Sequence, residues 1–167
     1  MIRRVAFRKA ILAGVLGAAA WEAVVRLFVT AGVPLFDLVR VLGTLVFGST
    51  ASPWLWWPTG MAMHMLVGAI WAIFYAYFFW SIWDLPAFLQ GVLFSLLPTV
   101  LAGLIMIPQM DFMLDGHTST LRTFAIGIGW LGPLTVILGH LVYGVVMGSI
   151  YVRPVGYAVG QKVNWYG

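Results

Sequence analysis

The sequence predicts an all-α, polytopic membrane protein with four transmembrane helices in two duplicated hairpins, plus short interfacial helices. Three observations carry this reading. Hydrophobic residues make up 62% of the 167 positions and charged residues only 8%, against roughly 45–50% and 25% in an ordinary soluble domain. Four apolar stretches are long enough to cross ~30 Å of hydrocarbon, which takes about 20 helical residues. Features of the first half recur in the second at a nearly constant offset. This composition excludes a soluble enzyme, a nucleic-acid-binding domain and a disordered chain. With no cysteine, disulfides, iron–sulfur clusters and thiolate metal sites are excluded as well.

Residues 1–9 form a basic N-terminus. Arg3, Arg4, Arg8 and Lys9 account for much of the +4 net charge, the pattern of a membrane flank. A secretory signal cleaved near Ala18-Ala19-Ala20 competes with this reading, but the apolar stretch runs past that point. The first hairpin is expected over 10–80, with spans at 10–30 and 59–80. Between them lies segment 31–58, too long for a tight connection and too apolar for a free loop. Residues 34–47 are expected to form a helix in the interface with Asp37 and Arg40 on its wet side. Trp54, Trp56 and Trp57 follow between Pro53 and Pro58 as an outer aromatic anchor. The second hairpin is expected over 87–152. Its spans run over 87–107, ending at Pro108, and 132–152, closed by Arg153-Pro154. Asp84 is expected to cap the first of these helices. Loop 108–131 has a polar tip from Asp115 to Thr120 and an apolar return from Ala125 to Trp130. A cytoplasmic tail occupies 153–167. Lys and Arg weight the two termini, counting Arg153 and Lys162, over the loops that hold Arg40 and Arg122. Both termini are therefore expected in the cytoplasm of a bacterial inner membrane.

The repeat is specific in its spacing. Residues 10–16 match 87–93 at an offset of 77, and His64, Gly68 and Tyr75 match His140, Gly144 and Tyr151 at an offset of 76. Thr59 matches Thr135, and the small residues Ala72 and Gly148 coincide. An even number of spans per copy keeps both copies in one orientation, which places His64 and His140 at one depth.

Several residues are candidates for function. The pairs Gly68/Ala72 and Gly144/Gly148 form small-xxx-small ridges that allow close helix approach in lipid. On the same faces, His64 and His140 are either packing residues that hydrogen-bond across helices or a ligand pair for a haem or chlorophyll metal. The matched tyrosines are expected to anchor at the cytoplasmic interface. Glu22 and Arg26 are ionisable within a span, and their i,i+4 order with the acid first suits a helical ion pair. Asp111, Asp115 and His117 are too few and too loosely ordered for a metal site and are expected in a polar loop. The aromatic run from Trp71 to Trp83 is expected to face lipid. Nothing resembles a nucleotide loop, a nucleophile elbow or a paired-carboxylate site.

The run from Gly139 to Tyr151, the Ala13-Gly14 helix, Met63-His64 with Gly68, and Gly91-Val92-Leu93-Phe94 running to Met106-Ile107-Pro108 carry a resemblance. On these motifs the chain is similar to a family of small bacterial four-helix integral membrane proteins catalogued as a domain of unknown function. The resemblance implies a four-span fold and brings no activity with it. The residues themselves lead to the expectation of a non-catalytic accessory or scaffold subunit of a larger membrane complex, with a photosynthetic or respiratory complex as host. Its contacts would be lipid and other membrane subunits, not nucleic acid. A haem- or chlorophyll-binding electron-transfer protein using His64 and His140, and a small transporter or channel, are the alternatives.

Overall fold

A computed structural model describes residues 5–80, 82–115 and 121–152. Among these residues all regular structure is helical. The helices are α1 (Phe7–Thr30), α2 (Leu38–Phe47), α3 (Pro53–Phe74), α4 (Ala87–Leu101), α5 (Ile107–Asp115) and α6 (Leu131–Ile150). A π-helical turn, Tyr75–Phe79, prolongs α3, and another, Ala102–Met106, joins α4 to α5. Four helices are thus long and apolar enough to span a membrane: Phe7–Thr30, Pro53–Phe79, Ala87–Leu114 and Leu131–Ile150. Arg3, Arg4, His117, Arg153, Lys162 and the expected tail lie outside the described residues.

Small residues decide how the helices meet. In α1, Ala10, Ala13, Gly14, Gly17 and Ala18 share one buried stripe at the three- and four-residue spacing of a helix face. That stripe meets α3 where a Cβ on Gly14 would collide with the Gly68 carbonyl, and one on Gly68 would lie 2.8 Å from the Gly14 oxygen. The crossing of α4 with α6 is built in the same way. A Cβ on Gly144 would lie 2.5 Å from the Gly91 oxygen, and one on Gly148 2.6 Å from the Ala87 oxygen. The two crossings occupy positions related by the sequence offsets, Gly14 with Gly91 and Gly68 with Gly144. Helix α1 also packs along α6, whereas α3 and α4 make little backbone approach. Aromatic side chains bridge α3 and α4 at one end, where Phe94 lies 5.1 Å from Tyr75 and 5.0 Å from Phe79. This end, which includes the start of α1, is the basal end below; the opposite end is distal.

The distal end departs from the sequence reading. Helix α2 does form within 34–47, but it folds against α3. Gly43 and Gly60 leave no room for a Cβ between the two backbones. Asp37 caps α2 by accepting from the Arg40 N–H at 2.9 Å, and its carboxylate turns to Arg26. Arg40 alone of the two is exposed. The chain before α2 dips back into the bundle, where Phe36 N–H donates to Thr135 Oγ1 at 3.4 Å. Helix α3 starts at Pro53, so Trp54, Trp56 and Trp57 form its first turns; Pro53 supplies a favourable opening residue.

The third long helix runs through Pro108 instead of stopping there. The α-helical hydrogen-bond ladder is already broken by the π-turn just before it, so the missing proline N–H costs little. Pro86, not Asp84, flanks the start of α4 without a side-chain cap. Gln90 Nε2 instead donates to the Leu85 carbonyl at 2.7 Å. On the return to α6, Arg122, Phe124 and Ala125 have positive φ of 58, 54 and 56°, sparsely populated for side-chain-bearing residues. The start of this return is held by Asp111, which is 2% exposed and accepts from Leu121 and Arg122 N–H at 3.0 and 3.3 Å.

Candidate functional site

The gap between α3 and α4 encloses a cavity of about 410 Å³, within the range of small-molecule pockets. Phe36, Leu42, Ile107 and Met110 line its distal end, where they belong to one buried cluster. Trp71 lines it towards the basal aromatic cluster. The α4 side contributes Pro98, Leu101 and the π-turn residues Ala102, Ile105 and Met106. Pro98 removes one backbone donor and the π-turn shifts the register, so this wall is irregular where a regular helix would close the gap. The rim is Val67 and Ile70 on α3 facing Ile105 and Met106, which are 42%, 55%, 56% and 51% exposed. The opening therefore lies midway along the bundle, between apolar residues. Among the described residues, no Asp, Glu, Lys or Arg lines the cavity.

Its inner wall carries His64, His140, Trp21 and Tyr143. Glycines in α1 and α6 position the two large rings. Gly139 lies so close to the Trp21 indole that a Cβ there would overlap it, and Gly17 meets the Tyr143 ring in the same way. Tyr143 Oη donates to the Gly68 carbonyl at 2.7 Å, tying α6 to α3 beneath the cavity. His64 and His140 share one contact. Trp21 sits between them, its ring centroid 5.0 Å from His64 and 4.5 Å from His140. A flat ring ligated by both imidazoles would have to displace that indole. Among the described residues, no group of three His, Cys, Asp or Glu side chains is placed to hold a metal ion.

The histidines differ in hydrogen bonding. His140 Nδ1 lies 2.7 Å from the Val136 carbonyl. A carbonyl only accepts, so Nδ1 carries the proton and Nε2 keeps a lone pair. His64 is 4% exposed, and its Nδ1 is buried with no hydrogen-bond partner.

Gly68 also lines the cavity, and the other candidates fall elsewhere. Gly68, Ala72, Gly144 and Gly148 are used within the bundle, at the α1–α3 and α4–α6 crossings. Glu22 and Arg26 pair at 2.6 Å, and Asp37 joins them through two contacts of 3.1 Å. Trp54 is 89% exposed, Trp57 is also exposed, and Trp56 is half-buried against α2. The matched tyrosines do not project outward. Tyr75 and Tyr151 are 0% and 4% exposed and meet edge to face at 6.1 Å. Tyr75 and Ala76 also draw part of the expected lipid-facing aromatic run into the core.

Sequence reasoning missed Trp21, Tyr143 and Pro98, and placed Asp37 on a wet face instead of against Arg26. Tyr143 had a signal, standing three residues after His140 on the same helix face. Pro98 had one too, as a proline inside a span. No protein-family model, curated protein or solved structure matches this chain.

Proposed function

We propose that this chain is a four-span membrane protein that holds an apolar small molecule in the cavity between α3 and α4. The observation that carries this reading is a cavity of about 410 Å³ lined, among the described residues, by no carboxylate, ammonium or guanidinium group, whose rim is exposed apolar side chains halfway along the bundle. In a bilayer that rim would meet acyl chains, so a ligand would arrive from the lipid and not from water. The basic residues near the termini support an orientation with both ends in the cytoplasm of a bacterial inner membrane.

In this reading the protein is non-catalytic. It holds a molecule, and the exposed rings of Trp54 and Trp130 offer surface to lipid or to a neighbouring subunit of a larger complex. We also infer that the two hairpins are copies, because both use the same glycine positions for their crossings. The cavity then marks where the copies differ. The α1–α6 seam is closed by Gly17, Trp21, Gly139 and Tyr143. Their counterparts at the offsets of 77 and 76 are Phe94, Pro98, Met63 and Val67. Large residues replace both glycines, and the matching α3–α4 seam stays open.

Native mass spectrometry of protein purified in mild detergent tests this reading. The wild type is expected to retain one small apolar adduct. Ala102→Trp, which fills the cavity, and Val67→Trp, which blocks its rim, are expected to lose it while keeping a cooperative thermal transition. Equal retention in all three proteins, or no adduct on any of them, refutes the reading.

A further inference from the structure

We propose that the ligand is a neutral lipid with one oxygen-bearing head, a carbonyl or a hydroxyl, and that His64 is the residue that binds that oxygen. This deepens the preceding reading and rests on it. Three observations lead here.

The first concerns the two matched imidazoles. His140 satisfies its Nδ1 on the carbonyl four residues back, at Val136. The equivalent acceptor for His64 is the Gly60 carbonyl, at the same spacing. His64 does not take it, and its Nδ1 is left buried and unpaired. Such a nitrogen is costly to leave unpaired. The ring borders a cavity large enough for a ligand, Nδ1 itself is closed off from that space, and in this proposal a half-turn about χ2, which exchanges Nδ1 with Cδ2, brings it to the ligand. A neutral imidazole carries one donor and one acceptor nitrogen, so it suits either a carbonyl or a hydroxyl.

The second is the lack of any carboxylate, ammonium or guanidinium among the lining residues. A phosphate or ammonium head would be desolvated with nothing to neutralise it, which excludes ordinary charged phospholipid heads. The third is that two other polar groups of the wall are already engaged. The Tyr143 hydroxyl is held by the Gly68 carbonyl and His140 Nδ1 by Val136. With one imidazole unsatisfied in an otherwise apolar chamber, the site matches a head with a single hydrogen-bonding oxygen. The rest of the molecule is a hydrocarbon chain that leaves through the rim between Val67, Ile70, Ile105 and Met106.

The test uses the full chain in detergent, stripped of bound lipid, and three probes of similar isoprenoid skeleton: the single-carbonyl ketone farnesylacetone, the alcohol farnesol and the oxygen-free hydrocarbon farnesane. Binding is read by thermal stabilisation and by native mass spectrometry. Wild-type protein is expected to bind one of the oxygen-bearing probes about tenfold more tightly than farnesane, the value of one neutral hydrogen bond. A preference for farnesylacetone, whose carbonyl only accepts, assigns His64 the donor role, and a preference for farnesol over the ketone assigns it the acceptor role; either supports the proposal. His64→Leu is expected to remove the preference without abolishing farnesane binding. His64→Gln, which keeps a donor and an acceptor, is expected to retain part of it and serves if the leucine variant does not fold. Equal binding of all three probes, or a preference that survives both substitutions, overturns the role of His64 while the cavity reading stands. No binding of any probe overturns the cavity reading itself.

Discussion

Removing the guanidinium of Arg26 should be the most damaging single change at the distal end. Arg26 donates through Nε and Nη2 to Glu22 Oε1, and through Nη1 and Nη2 to both oxygens of Asp37. It thereby ties α1 to the start of α2. The two carboxylates are not equally dependent on it. The side chain of Glu22 is 5% exposed, so without Arg26 it is a buried charge with no counter-charge. The side chain of Asp37 is 17% exposed and still accepts from the Arg40 N–H. Breaking a buried pair from one side costs about 3–5 kcal/mol, while losing a hydrogen bond to a partly exposed charged group costs about 1.5–3 kcal/mol. Arg26→Met should therefore destabilise by about 3–5 kcal/mol and Asp37→Asn by less. For a chain of this size that corresponds to a fall in Tm of roughly 6–20 °C for the first. The assay is tryptophan-monitored thermal unfolding in a fixed detergent. Because most of the cost is an orphaned carboxylate, Glu22→Leu/Arg26→Met should recover a large part of it. A double variant no more stable than Arg26→Met would refute the reasoning, as would a cost for Arg26→Met below that of Asp37→Asn.

Further outcomes follow from the same packing. Gly144→Leu drives a side chain into the Gly91 carbonyl and Ser95 and should cost about 1–3 kcal/mol or more by overpacking, seen as a lowered Tm. Gly139→Val should displace the Trp21 indole from α6, lowering Tm by a similar increment and shifting the tryptophan emission maximum. Asp111→Ala removes the acceptor for the Leu121 and Arg122 amides. It should cost about 1–3 kcal/mol and accelerate hydrogen exchange at those two amides. Met63→Gly/Pro98→Trp copies the closed seam onto the open one. It should abolish adduct retention in native mass spectrometry without lowering Tm.

The long helices and the glycine crossings were legible because they follow from local composition and helical spacing. Gly14, Gly68, Gly91 and Gly144 stand on the small faces that the pattern singles out. The distal structure was not legible. Asp37 reads as a wetted interfacial residue until the chain between Thr30 and Leu38 is seen to turn back far enough to reach Arg26. Pro108 reads as a helix stop, because the π-turn that disarms it, where Gly103 lies against the Phe124 ring, has no signature in local spacing. Tyr75 and Tyr151 read as interfacial anchors. They are buried because the two halves bring their rings against each other, a contact across the bundle that neither helix shows alone. The cavity was the least legible feature, since it comes from pairs of residues in different helices.

The divergence between the two seams bears on why matched histidines persist in both proposed copies. On the closed seam, His140 is pinned by its own helix and packed against Trp21, with Gly139 making room for the indole. That imidazole acts as a packing residue. On the open seam, Pro98 stands where the indole would be and Met63 where the glycine would be. His64 therefore meets Trp21 by its edge from the other side and keeps an unpaired nitrogen. Two copies of one hairpin can differ in this way because the crossings that hold each hairpin together involve other residues. Gly14 with Gly68 and Gly91 with Gly144 secure the pairs, which leaves the seams between pairs free to diverge. One seam then supplies stability, and the other can stay open at the cost of lost packing, an arrangement that makes sense where a ligand restores the contacts.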